Sequence, residues 1–398
     1  MIYLDNNATT KVDPDVIAAM LPFFGDQFAN ASSSHDAGSG VADAVREARR
    51  SVAALIGAEK DQEILFTSGA TEANNTALLS ALAADPARDE LVISVVEHPA
   101  ILTVAAWLEK ERGITVHRIG VDGDGRLDME AYAAALGPKT ALASIMWANN
   151  ETGTVFPIPE LAELAHAAGA LFHTDAVQAT GKMPIDVKAT AVDMLSLSGH
   201  KFHAPKGIGV LYLKKGVKFT PLIRGGHQER GRRGGTENVP AIVGLGKAAE
   251  LAVERMAEMT ARVGALRDGF ERAVLAAVDD CFVVGDTENR LPNTSNIAFD
   301  FAEGEVILNQ LSKAGIAVSL GSACTSGSTE PSHVIRAMEL PYTAAHGAVR
   351  FSFSCDNGET DVAAVVENLP AIVAKARAAS PFAQQRARGE AAAGEARL

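Results

Sequence analysis

The sequence predicts an α/β protein: a large domain with a mostly parallel seven-stranded sheet flanked by helices, then a smaller C-terminal αβ domain. Three observations carry this. Short apolar runs of strand character alternate with helical patterns of about ten to fifteen residues, the signature of parallel strands joined by helical crossovers and covered on both faces. At 398 residues the chain is longer than one hydrophobic core of about 250–300 residues usually serves. A second strand-and-helix series follows one long helical stretch, which marks the second domain.

Val16, Ile17, Met20, Leu21 and Phe24 recur at helical spacing and predict a helix over 15–24. Val41, Val45, Ala48, Val52 and Leu55 predict a long amphipathic helix over 37–56, with a polar loop over 28–36 before it. Glu63 to Thr67 reads as a strand, which Ser68 to Asn75 turns into a helix ending near Ala84. Strands at 91–95, 114–119, 140–146, 170–174, 193–196 and 207–213 follow, with helices at 99–111, 128–135 and 158–168. The long helical stretch over 240–278 leads to strands at 282–284, 295–299, 316–318 and 349–353 and helices at 303–314, 333–338 and 361–378. The expected large domain is 13–255, and the small one joins 1–12 to 256–380. The Ala-, Arg- and Glu-rich tail over 381–398 reads as disordered.

Composition excludes several classes. With 47% hydrophobic and 21% charged residues the chain is ordinary globular material. A net charge of -13 argues against nucleic acid and anionic membranes as partners. No apolar run approaches the roughly 18 residues of a membrane helix, and Met1 to Asp5 shows no export signal. Cys281, Cys324 and Cys355 are too few and too far apart for a disulfide framework or a paired metal site. A cytoplasmic, reducing location is expected.

Ligands of open parallel sheets collect at the carboxyl ends of the strands, and the polar clusters fall there. Lys201 lies in a Gly- and Pro-bounded loop, 196–209, between two strand-like runs. An isolated lysine is ordinarily a solvated surface group. One at a sheet edge suits Schiff-base formation if burial or nearby positive charge lowers its pKa. Thr67 to Thr71 forms a strand-to-helix turn fit for a phosphate, the plainer alternative being an ordinary helix cap. His98, Asn150, Asp175 and Gln178 each follow other strands. Asp175 is the informative one, because a carboxylate near a buried site is costly unless it faces a cation. Together the set meets the needs of pyridoxal 5'-phosphate: a lysine, an acid for the ring nitrogen, phosphate donors and a cap over the ring. Dinucleotide and P-loop glycine fingerprints are absent, and His200-x-x-His203 has no glutamate between its histidines.

These residues resemble a known family. Ser68-Gly-Ala-Thr-Glu72, Glu97-His-Pro99, Asp175-Ala-Val-Gln178, Ser198-Gly-His-Lys-Phe-His203, Gly225 to Asn238 and Gly321-Ser-Ala-Cys-Thr-Ser-Gly327 are similar to the motifs of cysteine desulfurases. Those are class V enzymes of pyridoxal phosphate fold type I, here of the NifS/IscS type. Met146 to Gly153 and Leu340 to Gly347 lean toward the nitrogen-fixation branch. The resemblance implies that Lys201 carries the coenzyme, Asp175 pairs with its ring nitrogen, and His98 stacks on the ring and shuttles protons. Ala70, Thr71, Ser198 and His200 would hold the phosphate, Gln178 the ring hydroxyl, and Asn150 the ring or substrate side. Thr236 would reach the phosphate of a neighbouring subunit in a homodimer. Arg350 would clamp the carboxylate of L-cysteine.

Cys324 sits in a Gly- and Ser-rich stretch that reads as a mobile loop, whereas Cys281 and Cys355 read as structural. The resemblance makes Cys324 the nucleophile that takes the substrate sulfur and passes it to an iron–sulfur scaffold protein. It also implies a transient [2Fe-2S] cluster shared by Cys324 and that scaffold. Two rivals on the same fold, a selenocysteine lyase and an aminotransferase, would share everything except the Cys324 loop. The sequence departs from the family at Phe28 to Ser32, with Ala in place of Gly and Pro, and at Cys355 to Gly358, where an arginine-containing turn is common.

Overall fold

A computed structural model of the protein describes residues 1–320 and 330–381. The expectations for the Cys324 loop and for the tail beyond residue 381 lie outside the described residues.

The chain opens with β1 (Ile2–Tyr3), α1 (Pro14–Met20) and α2 (Asp36–Leu55). The expected 15–24 helix stops as an α-helix at Met20 and tightens into a 3₁₀ turn over Leu21–Phe24. Pro22 has no N–H to continue the ladder. The main sheet then takes β2 (Ile64–Thr67), β3 (Glu90–Ser94), β4 (Thr115–Ile119), β5 (Thr140–Ser144), β6 (Leu171–Asp175), β7 (Met194–Ser198) and β8 (Gly209–Leu213). Between them run α3 (Ala70–Ala84), α4 (Pro99–Arg112), α5 (Met129–Ala135) and α6 (Ile158–Ala167).

The seven strands lie in the order β2-β8-β7-β6-β5-β3-β4. Pairings β3–β4, β3–β5, β5–β6 and β6–β7 are parallel, while β8 runs antiparallel to both β2 and β7. Loop length explains the exception. Only residues 199–208 join β7 to β8, too few for a crossover helix of about a dozen residues or more, so the chain turns back. Every residue of β5, β7 and β8 is buried, as a sheet covered on both faces requires.

Beyond it, α7 (Val239–Ala277) leads to β9 (Cys281–Val283), β10 (Thr294–Phe299), α8 (Gly304–Lys313) and β11 (Ile316–Ala317). The chain closes with α9 (His333–Ala337), α10 (Tyr342–His346), β12 (Ala348–Ser352) and α11 (Glu359–Ala379). An antiparallel sheet β12-β10-β9 forms here, and β1 pairs in parallel with β11. Residue 255 falls within α7. The first half of that helix packs Leu245, Ala248 and Ala249 into the core of the main sheet, and its second half packs Phe270 and Val274 into a separate core with Phe351 and Leu369.

Candidate active site

The turns that follow β2, β3, β5, β6 and β7 surround a cavity of about 570 Å³, a normal size for a small-molecule site. Ten of the expected residues line it: Ala70, Thr71, His98, Asn150, Asp175, Gln178, Ser198, His200, Lys201 and Arg350. Thr236 does not. It lines an adjoining cavity of about 250 Å³ that shares Ser68 and Gly207 with the first. Cys324 lies outside the described residues.

Lys201 ends the short turn after β7. Its Nζ donates to the carbonyl oxygens of Asn7 at 2.5 Å and Ala8 at 2.9 Å. These acceptors come from the N-terminal segment, which folds across the mouth of the sheet. Asp175 ends β6, with Oδ1 accepting from the Val177 amide at 3.0 Å and Oδ2 from Asn74 Nδ2 at 2.7 Å. Both donors are neutral, so neither of these bonds pairs Asp175 with a cation.

His98 caps α4, its Nδ1 accepting from the Ala100 amide at 3.1 Å. The ring proton is therefore on Nε2. Burial holds its pKa below the ordinary value, with the charges of Lys201 and His333 acting the same way and that of Asp175 opposing. The neutral ring is thus the resting form near pH 7. His200 is pushed down further, to about 4, first by burial and then by Lys201.

The turn between β2 and α3 borders the cavity. No side chain caps α3 at Gly69, and Glu72 accepts from the Ser68 amide at 2.8 Å and from Arg233 at 3.0 Å. The first turn of α3 thus presents uncapped amides beside the cavity, the arrangement that binds a phosphate. Gly209 allows this turn its position: a Cβ there would come within 2.7 Å of the Gly69 backbone.

Two carboxyl groups are buried behind these residues. Glu97 Oε1 accepts from Ser94 Oγ at 2.6 Å and from the Met146 amide at 2.9 Å, and burial, with a smaller push from Asp175, raises its pKa to about 8. Glu151 accepts from Ser332 Oγ at 2.5 Å, and burial raises it to about 7 against the pull of Arg350. Both sit below the strand ends and bind the turns together.

Asn7, Asn74 and His333 join the site without having been expected. Asn74 carries a readable signal, being an amide among the buried Ala73, Thr76 and Ala77 of α3. Asn7 lies in Tyr3 to Thr10, a segment similar to the family's motifs, but its role depends on the chain passing over Lys201. The His200-x-x-His203 pair diverges, His200 toward Thr9 and His203 toward the Lys11 carbonyl and Cys355. Among the described residues no cluster of His, Cys, Asp and Glu has the geometry of a metal site, and no helix is long and apolar enough to cross a membrane.

Residues 2–365 match the family described as Aminotransferase class-V. A cysteine desulfurase of Gluconacetobacter diazotrophicus is 63% identical over 381 residues, covering 96% of this chain and 95% of that one. The cysteine desulfurase NifS of Azotobacter vinelandii is 58% identical over 381 residues, covering 96% and 94%. A solved NifS-like protein superposes with a TM-score of 0.88 at 35% identity, covering 94% of this chain and 99% of its own. With a lysine, a carboxylate and a histidine converging at the strand ends of that shared fold, the chain belongs to the class-V aminotransferase family and, within it, to the cysteine desulfurases.

Proposed function

We propose that this cysteine desulfurase binds pyridoxal 5'-phosphate in the 570 Å³ cavity, withdraws sulfur from L-cysteine to leave L-alanine, and stores it as a persulfide on Cys324. The observation that supports this best is the convergence of Lys201, Asp175, His98 and Arg350 on one cavity. The residues fit the coenzyme. The uncapped start of α3 suits its phosphate, and Asp175, bonded only by neutral donors, suits a protonated ring nitrogen. When bound, the coenzyme supplies an electron-poor ring that stabilises negative charge next to the substrate's α-carbon.

The chain's own groups do the rest. Lys201 Nζ would hold the coenzyme, and as a free amine it would take the substrate's α-proton. Arg350 holds the substrate carboxylate, and Asn150 lies beside it. His98, neutral with its proton on Nε2, would cap the coenzyme from the cavity wall and move protons between substrate and thiol. The Cys324 thiolate attacks the substrate sulfur: an S–S bond forms as the Cβ–S bond breaks, and carbon keeps the electron pair. That carbon is then protonated, so cysteine and the Cys324 thiol become alanine and the persulfide, with no outside oxidant.

The wider assignments rest on the resemblance and the relatives. The enzyme acts as a cytoplasmic homodimer, Thr236 completing the phosphate site of the neighbouring subunit. Cys324 hands sulfur to an iron–sulfur scaffold protein serving nitrogenase metallocluster assembly, with a transient [2Fe-2S] cluster shared between them. The test is incubation of the purified protein with L-cysteine while its visible absorbance, alanine and a persulfide label on Cys324 are followed. Cys324→Ser should keep the visible band and lose sulfide release. Continued turnover of cysteine by that variant, or keto-acid formation by the parent, would defeat the reading.

A further inference from the structure

A second lysine stands behind the first. Lys182 is fully buried, and its Nζ donates to Gln178 Oε1 at 2.8 Å and Asn7 Oδ1 at 3.2 Å. Gln178 Nε2 in turn donates to the Asn7 carbonyl oxygen at 3.0 Å, the same oxygen that accepts from Lys201 Nζ. Lys182, Gln178 and Asn7 thus close a ring of hydrogen bonds whose far side touches the reacting lysine. The ring fixes the polarity of Gln178. Lys182 Nζ donates to the amide oxygen, and the Asn7 carbonyl offers only an acceptor to the amide nitrogen. A flipped amide would lose both bonds. The asparagine is pinned independently, because Asn7 Nδ2 donates to Thr294 Oγ1 at 2.8 Å and Asn293 Nδ2 donates to Asn7 Oδ1 at 3.0 Å.

Holding an amine in this place is costly. The charges acting on Lys182 are those of Lys201 and Arg350, both repulsive, and its hydrogen-bond partners are neutral amides. Apolar residues of similar length would fill the space at less cost, so packing does not account for a lysine. The amide it orients does. Gln178 lines the cavity, and with Oε1 turned back to Lys182 its NH2 group is the edge left for a ligand oxygen.

We propose that Lys182 is a positioning residue for the coenzyme: by holding Gln178 Oε1 it makes the glutamine present an N–H donor to the oxygen substituent of the bound ring. This rests on the coenzyme assignment made above. The test is coenzyme affinity and visible circular dichroism, neither of which requires turnover. Apoprotein of the parent, Lys182→Met, Gln178→Ala and the double variant is titrated with pyridoxal 5'-phosphate. Each single variant should bind about tenfold more weakly, the loss of about one good hydrogen bond. The double variant should bind no more weakly than Gln178→Ala, because Lys182 acts through the glutamine. Lys182→Gln keeps an N–H for Gln178 and should recover affinity to within about threefold. Apoprotein melting within about 4 °C of the parent shows that folding is intact. Multiplying losses in the double variant, parental affinity and dichroism in Lys182→Met, or a well-folded Lys182→Gln as weak as Lys182→Met each overturns the proposal. Should Lys182→Met not fold, Lys182→Gln is compared with the parent instead, and a folded Lys182→Gln that binds about tenfold more weakly overturns the proposal. A parent apoprotein that takes up no coenzyme defeats the earlier assignment instead.

Discussion

Arg350 Nη2 donates to Asp5 Oδ1 at 2.7 Å, joining the start of the chain to the last strand of the small sheet. Its Nη1 donates to the Asn150 carbonyl oxygen at 3.0 Å, so two fixed acceptors set the plane of the guanidinium beside the cavity. A planar fork held in this way is suited to a carboxylate; a flexible ammonium is not. Arg350→Lys should raise KM for L-cysteine by at least about tenfold with a much smaller change in kcat. Steady-state kinetics check this, and an unchanged KM would remove Arg350 from substrate binding.

Glu97 gives a pH signature. Its folded pKa is raised to about 8 from an ordinary value near 4.5, so its contribution is fully present below pH 4.5 and is lost as pH rises toward 8. Glu151, raised to about 7, acts in the same direction. His173 and His200, lowered to about 3 and about 4, oppose folding as pH falls below about 6.5. Stability should therefore peak between these limits. Glu97→Gln cannot ionise, so its stability relative to the parent should improve by about 2–4 kcal/mol between pH 5 and pH 8.5. Urea melts of both apoproteins across that range test it, and a constant difference would mean Glu97 is already ionised at low pH.

The segment carrying Thr236 is anchored by a buried ion pair. Arg49 and Glu229 meet through two hydrogen bonds of 2.6 and 2.8 Å, Arg49 also donates to the Ile64 carbonyl oxygen at 2.7 Å, and it lies 4.5 Å over the Phe66 ring. Removing one partner strands a buried charge. Glu229→Ala should cost about 3–5 kcal/mol in denaturant melts. The double change Arg49→Met with Glu229→Leu should cost clearly less, and equal losses would deny the pair its role.

Gly209→Ala probes the turn between β2 and α3. The added methyl would meet Gly69 Cα and C at 2.7 Å and the Leu197 oxygen at 2.8 Å, all of them backbone, so the turn or the strand must move. Stability should fall by about 1–3 kcal/mol, and coenzyme affinity should fall with it. Melts and coenzyme titration read the two effects separately.

The site was legible wherever its chemistry is local. The turn at Ser68 to Thr71, His98 before Pro99 and Lys201 between two strands are each set by a few neighbouring residues, and the fold brings them to one edge. What the sequence hid is tertiary. Asn7 and Lys182 matter only because residues 171 to 194 positions away along the chain pack on Asn7. The antiparallel direction of β8 follows from the shortness of the 199–208 loop, which the sequence does show but which the expectation of a mostly parallel sheet does not carry through to strand direction. Helix α10 spans only Tyr342–His346, too short to show a helical period. The expected 15–24 helix ran past Pro22 because its apolar spacing outweighed the missing N–H.

The thread from Asp5 to Thr9 closes over the cavity while bonding to residues as distant as Ser352 and Arg350. During synthesis this thread emerges well before its partners Arg350 and Ser352. A chain that has not yet reached Ser352 cannot close this thread over the cavity, so the pocket is completed only after the small sheet has been made.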